Sequence, residues 1–196
     1  SQFSNVRTAG IFAMSIDPGD ELAAAKLTNG KQHVFLCSRS GMSIRFDEQD
    51  VRPMGRSARG VKGFELDSDD AVVGVETIDP ADKTMSILTV TELGYGKRTE
   101  PDEYRIQSRG GKGIITLKTS DKSGSVMGTK VVTDKDDLMI ITDKGQTIRT
   151  SLGSIRSQGR NTTGVRLINV NAGEKVVGIE HLAEKTDDDI WKGFSE

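Results

Sequence analysis

The chain has 196 residues, 34% of them hydrophobic, enough to bury a core as one domain of ordinary size, which excludes a disordered tail. A formal net charge of −2 gives no bulk attraction for polyanions, so any nucleic-acid contact must come from locally concentrated basic residues. No apolar run approaches the roughly 20 residues of a membrane span, and the start SQFSNVRTAG lacks a signal-peptide pattern. The single cysteine, Cys37, has no intramolecular disulfide partner, which points to the cytosol.

The first residues read as the end of a unit begun upstream. RTAGI at Arg7 to Ile11 aligns with the later SARGV, GGKGI and NTTGV but lacks the strands that precede those, so the chain is expected to be a fragment. From Ile11 onward each unit predicts four short strands, because β-branched residues alternate with polar ones and turn signals such as LDSDD, ELGYG and TDKGQ separate them. In the second unit they are Val61 to Leu66, Ala71 to Ile78, Ser86 to Thr91 and Tyr95 to Thr99. In the third they are Ile114 to Lys118, Ser125 to Val132, Leu138 to Thr142 and Gln146 to Thr150. DVRP and SLGS are turns at most. The last unit, from Val165 to about Leu182, supplies two strands, whose completing pair is expected from upstream.

Gly10, Gly60, Gly113 and Gly164 recur about every 50 residues, the period of a propeller blade. The expected architecture is therefore all-β and propeller-like: repeat units at about 11–60, 61–113 and 114–164, partial units at 1–10 and 165–184, all in one domain over 1–184, and an acidic flexible tail at 185–196.

Arginines keep the same register. Arg45, Arg52 and Arg56 recur as Arg98, Arg105 and Arg109 and again as Arg149, Arg156 and Arg160, so three units share R-x6-R-x3-R. Independent surface arginines would not share offsets, whereas one partner running past all units would require it. Val51, Tyr104 and Ile155 precede the middle arginines and read as apolar anchors that leave the arginine facing outward. The richest basic stretch, YRIQSRGGKG, sets Arg105, Arg109 and Lys112 beside Gln107, Gly110, Gly111 and Gly113; guanidinium forks and backbone N–H groups of a Gly-rich turn both suit phosphate. With Arg59, Lys97 and Arg98 these residues form the expected basic belt, and Asp67, Asp69, Asp70, Glu76, Asp79 and Asp82 crowd elsewhere.

ILTVTELGYGKRTEPDEYRIQSRGGKGIITLKT and MIITDKGQTIRTSLGSIRSQGRNTTGVRLINV resemble the C-terminal domain of the DNA gyrase A protein, over nearly the whole chain. The resemblance implies a β-pinwheel, a six-bladed propeller relative whose blades exchange strands with their neighbours and whose basic rim wraps duplex DNA. The family's box QRRGG[RK]G is matched by QSRGGKG at Gln107 to Gly113, with Ser108 in place of an arginine, and reads as a degenerate repeat of it. The implied role is sequence-neutral DNA wrapping in support of ATP-dependent negative supercoiling. The fragment would be non-catalytic and without cofactor, since ATP, Mg2+ and the DNA-cleaving tyrosine belong to other parts of a cytoplasmic, nucleoid-associated complex of the gyrase A and gyrase B proteins. Two alternatives stand beside it: the related C-terminal domain of topoisomerase IV, and a protein-interaction propeller that does not bind DNA.

Other chemistry is not supported. His33 and His181 stand alone at their spacings, without a zinc-ligand pattern. GYGKRT lacks the ending of a phosphate loop, Asp134 to Asp137 read as a charged hairpin turn, and neither Tyr95 nor Tyr104 has the surroundings of a nucleophile.

Overall fold

The computed structural model describes residues 8–183. Within them, eleven strands form three antiparallel sheets. In the first, β1 (His33–Ser38) and β2 (Met42–Asp47) make a hairpin, β3 (Val72–Ile78) pairs with the far side of β1, and the short β6 (Ile114–Ile115) lies along β2. The second repeats this plan with β4 (Ser86–Thr91) and β5 (Tyr95–Thr99) as the hairpin, β7 (Val126–Val132) beside β4 and β10 (Val165–Arg166) beside β5. The third has the hairpin of β8 (Asp137–Thr142) and β9 (Thr147–Ser151) with β11 (Val176–Leu182) beside β8. No outer strand lies along β9 among the described residues.

The second and third blades therefore give their short strands away. β6 follows the hairpin of the second sheet yet completes the first, and β10 follows that of the third yet completes the second. This is the strand exchange that the family resemblance implies, and it corrects the unit frame in phase. The repeating glycines mark the donated strand, so the sheets group strands across the boundaries at 60 and 113. The final pair of strands is likewise divided, β10 completing the second sheet beside β5 and β11 joining the third beside β8, so each is partnered by earlier strands of this chain.

The first unit has two of its four expected strands, β1 and β2, with none over 8–32, and two strands of the later units differ as well. Val61–Leu66 is not a strand, because nothing among the described residues stands where β2 stands for β6. Ile114–Lys118 shrinks to two residues; Thr116 and Leu117 both turn their N–H groups to the Gly41 carbonyl at 2.9 and 3.3 Å, and the ladder ends there. The acidic tail at 185–196 lies outside the described residues.

Packing explains why β4 loses its alternation. Its six residues are all buried, since a central blade has a neighbour on either face. Ile87 joins Phe35, Cys37, Ile78, Tyr104, Leu117 and Val126 between the first and second sheets, while the adjacent Leu88 joins Leu138, Ile140, Ile155, Ile168 and Val176 between the second and third. The ion pairs Lys26–Glu76 and Lys130–Glu180, both at 3.0 Å, put lysine and glutamate alternately at the same position of the repeat in successive units.

Candidate nucleic-acid interface

After each hairpin comes a one-turn 3-10 segment, at Glu48–Asp50, Pro101–Glu103 and Leu152–Ser154. The next residue closes it, with the N–H groups of Val51, Tyr104 and Ile155 each donating to the carbonyl three residues back at 3.0 Å. That residue then goes inward. Tyr104 is 1% exposed, packs edge-on against Phe35 at 5.0 Å, and shares a 2.7 Å hydrogen bond between its hydroxyl and Thr116 Oγ1. Ile155 is equally enclosed and Val51 half-buried. Extended backbone alternates sides, so Arg52, Arg105 and Arg156 emerge to solvent. All three are exposed and make no hydrogen bond or ion pair among the described residues.

The first arginine of the repeat does something else. Arg45 is buried; its Nη1 donates to the Pro101 and Tyr104 carbonyls at 2.6 and 3.3 Å, and its Nε and Nη2 meet His33 Nδ1 at 3.1 and 2.9 Å. Burial and the guanidinium charge hold the His33 pKa below its usual value, which favours a neutral ring, and Nδ1 faces the two guanidinium donors. Arg98 is the same device one blade on, donating from Nε to the Ile155 carbonyl at 2.8 Å and pairing with Asp134. Each ties the rim of the next blade to its own hairpin. In the third sheet Arg149 has no such carbonyls to reach among the described residues and folds back on Asp137, with its side chain 66% exposed.

The third arginine is also a tie. Nη1 of Arg56, Arg109 and Arg160 donates to the carbonyls of Phe12, Lys62 and Ile115, at 3.3, 3.0 and 2.9 Å, each two residues beyond the repeating glycine of the preceding unit. Gly113 and Gly164 have φ of 73° and 85°, and a Cβ there would stand 2.2 Å from the Ser43 carbonyl oxygen and 2.4 Å from that of Gly96. These glycines admit the donated strand to the hairpin. The Gly110 N–H donates to the Gly63 carbonyl at 2.7 Å and the Gly111 carbonyl accepts from the Glu65 N–H at 2.9 Å, so this loop is fastened to the preceding unit by its backbone.

The expected belt thus divides. Arg45, Arg98 and Lys97 are corrected to interior positions, because they lie on β2 and β5, strands covered by the neighbouring blade. Lys97 is fully buried; its Nζ donates to the Gly159, Arg160 and Thr162 carbonyls and to Thr162 Oγ1, and burial reinforced by the Arg160 charge lowers its pKa to about 8. Gln107 bonds through its backbone to the Arg45 carbonyl at 2.8 Å. Arg59 is exposed but paired with Asp17 at 3.1 Å. Lys112 is exposed with no partner among the described residues, in the same loop as Arg105. The acidic cluster is largely turn chemistry, since Asp70 accepts from Ser40 N and Oγ, and Asp79 and Asp82 cap their own turns.

Sequence reasoning missed the ties, although their signal is a sequence distance. Arg45 and Arg98 reach carbonyls 59 and 57 residues on, slightly more than one period. Among the described residues no three His, Cys, Asp or Glu side chains gather for a metal, and no helix is long and apolar enough to cross a membrane.

The family model described as "DNA gyrase C-terminal domain, beta-propeller" matches residues 1–29, 32–79, 86–133 and 136–182. The last three segments each hold one hairpin with the long strand beside it. The chain is similar to the DNA gyrase A protein of Salmonella typhimurium, 46% identical over 96% of this chain and 21% of that protein. It is likewise similar to that of Haloquadratum walsbyi, 43% identical over 96% of this chain and 22% of that protein. It thus spans about a fifth of these relatives. Among solved structures, a C-terminal domain of DNA topoisomerase IV matches with a TM-score of 0.89 at 23% identity, covering 98% of this chain and 59% of that one. A DNA gyrase A C-terminal domain matches with 0.79 at 24%, covering 89% and 59%. At those identities the structures speak for the fold alone.

Proposed function

Because the chain belongs to the DNA gyrase C-terminal domain, beta-propeller family, we propose that it binds duplex DNA along its rim without reading sequence, and that in its parent protein this bound segment serves wrapping. The observation that carries the reading is the middle column. Among the described residues Arg52, Arg105 and Arg156 are exposed and make no hydrogen bond or ion pair, at the same place in successive blades, while the other two columns, Arg149 apart, are occupied in holding blades together. Guanidinium groups at one position per blade suit phosphates, whose contacts position a duplex and carry no base information. Lys112 adds charge in the loop that carries Arg105.

In the parent protein the same surface would present a DNA segment for ATP-dependent negative supercoiling by the gyrase A and gyrase B proteins together, with ATP and Mg2+ held by other domains. This chain does no chemistry in that scheme. Tyr104, the more enclosed of its two tyrosines, is buried with a pKa pushed up to about 12, unsuited to nucleophilic attack. Sequence identity to gyrase A proteins favours gyrase over topoisomerase IV as the parent.

The test is a titration with duplexes of increasing length across a salt series, comparing the wild-type chain with an R52A/R105A/R156A variant. Three lost phosphate contacts should flatten the slope of log K against log salt by about 2.7, at about 0.9 per contact. An unchanged slope would remove these arginines from the interface and leave the protein-interaction reading.

A further inference from the structure

The second blade carries a group of donors used neither in the ties nor in the middle column. Arg166 lies on β10 opposite Tyr95 of β5. Its Nη2 donates to the Tyr95 hydroxyl at 2.7 Å and its Nη1 to Asn169 Oδ1 at 3.1 Å, so two of the five N–H groups of the guanidinium hold it in place against neutral acceptors. Its central carbon stands 5.1 Å from the centre of the Tyr95 ring, and the Lys122 ammonium, from the loop leading into β7, stands 5.6 Å from the same ring. Tyr95 is only 7% exposed, while Arg166 and Lys122 are exposed. Neither cation forms an ion pair among the described residues, Asp121 beside Lys122 included.

Two positive groups over one ring, with no carboxylate between them, repel each other and gain from an anion. Donors for one are in place. The Tyr95 hydroxyl accepts from Arg166 and keeps its own proton to donate, beside the ammonium and the remaining guanidinium N–H groups. The Arg166 hydrogen bond, with the charges of Arg166 and Lys122, holds the Tyr95 pKa below its usual value, the mark of a positive field at that oxygen.

The group is particular to this blade. Met42 and Ile115 form the corresponding pair in the first sheet. The loop leading into β3 holds Asp67, Asp69 and Asp70 where that leading into β7 holds Lys122, and Gln146 follows Gly145 where Tyr95 follows Gly94. The group is also internal, since the second sheet packs between the first and the third.

Its place is beside the middle column. Ser157, the neighbour of Arg156, bridges Arg98, and Arg166 pairs with Tyr95 further back on the same edge of β5, a separation of about 10 Å at roughly 3.3 Å per residue. A duplex, whose major groove alone is about 12 Å wide, covers both points when it lies on Arg156. We propose that Tyr95, Lys122 and Arg166 form a second phosphate site on the edge of the second blade, giving that blade a firmer grip on DNA than its neighbours have. This deepens the DNA reading above and rests on it.

Lysine acetylation read by mass spectrometry, on the wild-type chain with and without saturating duplex, tests the site directly. Lys122 should be protected by DNA, whereas Lys130, on the opposite edge of the same sheet, should react equally in both. K122A/R166A should flatten the slope of log K against log salt by about 0.9, the loss of one phosphate contact, and K122R/R166K, which keeps both charges, should hold the wild-type slope. Lys122 left unprotected on a chain that binds duplex, or a K122A/R166A slope equal to wild type while R52A/R105A/R156A flattens it, would overturn this site and leave the DNA reading standing. A K122R/R166K slope as flat as that of K122A/R166A would overturn it too, because the charges are kept. A wild-type chain that binds no duplex at low salt would overturn both.

Discussion

Replacing Arg45 by alanine separates the two meanings of a repeated arginine most sharply when set against the same change at Arg149. Both residues occupy the first position of R-x6-R-x3-R. Removing the Arg45 side chain leaves the Pro101 and Tyr104 carbonyls and His33 Nδ1 without their donor inside the contact between blades, where the arginine is only 5% exposed. Each buried acceptor left unpaired costs about 1–3 kcal/mol, partly offset where water enters the space, and the aliphatic stem loses its packing as well. The expected loss is about 3–4 kcal/mol. Arg149 makes only an exposed ion pair with Asp137, and its removal should cost less than about 1 kcal/mol. Urea unfolding at 25 °C reads the difference: with m near 2 kcal/mol per molar, R45A should lower the midpoint by roughly 1.5 M or more and R149A by less than about 0.5 M. If R45A and R149A fall within about 1 kcal/mol of each other at equal m, the first column is not a tie between blades and the basic belt does not divide as its hydrogen bonds indicate.

Two further outcomes follow from the same geometry. Lys97 has a folded-state pKa of about 8 against an ordinary 10.5, so from pH 8 to 10.5 the unfolded chain holds more protons than the folded one and stability rises with pH. Relative to K97M, the wild-type chain should gain on the order of 3 kcal/mol between pH 7 and pH 10.5, measured by urea unfolding at both; a difference that stays flat or falls would show the buried amine is not strained by its charge. The repeating glycines should also differ: G60A, at φ 96° in open space, should cost about 1–2 kcal/mol of backbone strain, whereas G113A adds a contact of 2.2 Å with the Ser43 carbonyl and should cost a further 1–3 kcal/mol or so, read as a larger drop in Tm.

The strands, their period and the inward anchors were legible because each is local. β-branched alternation marks β3, β7 and β8, and an apolar residue at the end of a 3-10 turn marks Tyr104 and Ile155 whatever surrounds them. What a strand pairs with is not local. Val61–Leu66 and Ile114–Lys118 look alike in sequence, yet only the second has a hairpin beside it, so only there do two residues become β6. The arginines are hidden for the same reason. Arg98 reads as a rim cation because nothing within its own unit accepts its hydrogen bonds; the acceptor, the Ile155 carbonyl, belongs to the next blade. Burial of Lys97 is equally invisible, since the corresponding positions in the other blades are Ile44 and Ile148, apolar residues that mark an inward face only once the repeats are laid on one another.

Equal spacing in sequence suggests a single partner running past the units, and the fold supplies a second cause. Arg56, Arg109 and Arg160 are spaced by the pitch of the blades because each must reach a carbonyl on the preceding unit's donor segment, with or without DNA. The middle column lies between two tying columns, locked to them by a short stretch of chain and by a buried anchor. Its spacing therefore follows from the packing of blades, and no flexible loop is left to adjust it. On the proposed DNA binding, a duplex held by Arg52, Arg105 and Arg156 would follow the path the three blades set, and any energy of bending, roughly 1–6 kcal/mol for a strong bend, would be borne by contacts that the blade ties keep in register. Loosening a tie should then weaken binding to long duplexes that must curve while sparing short ones that span a single blade. Loss of a middle arginine should weaken both.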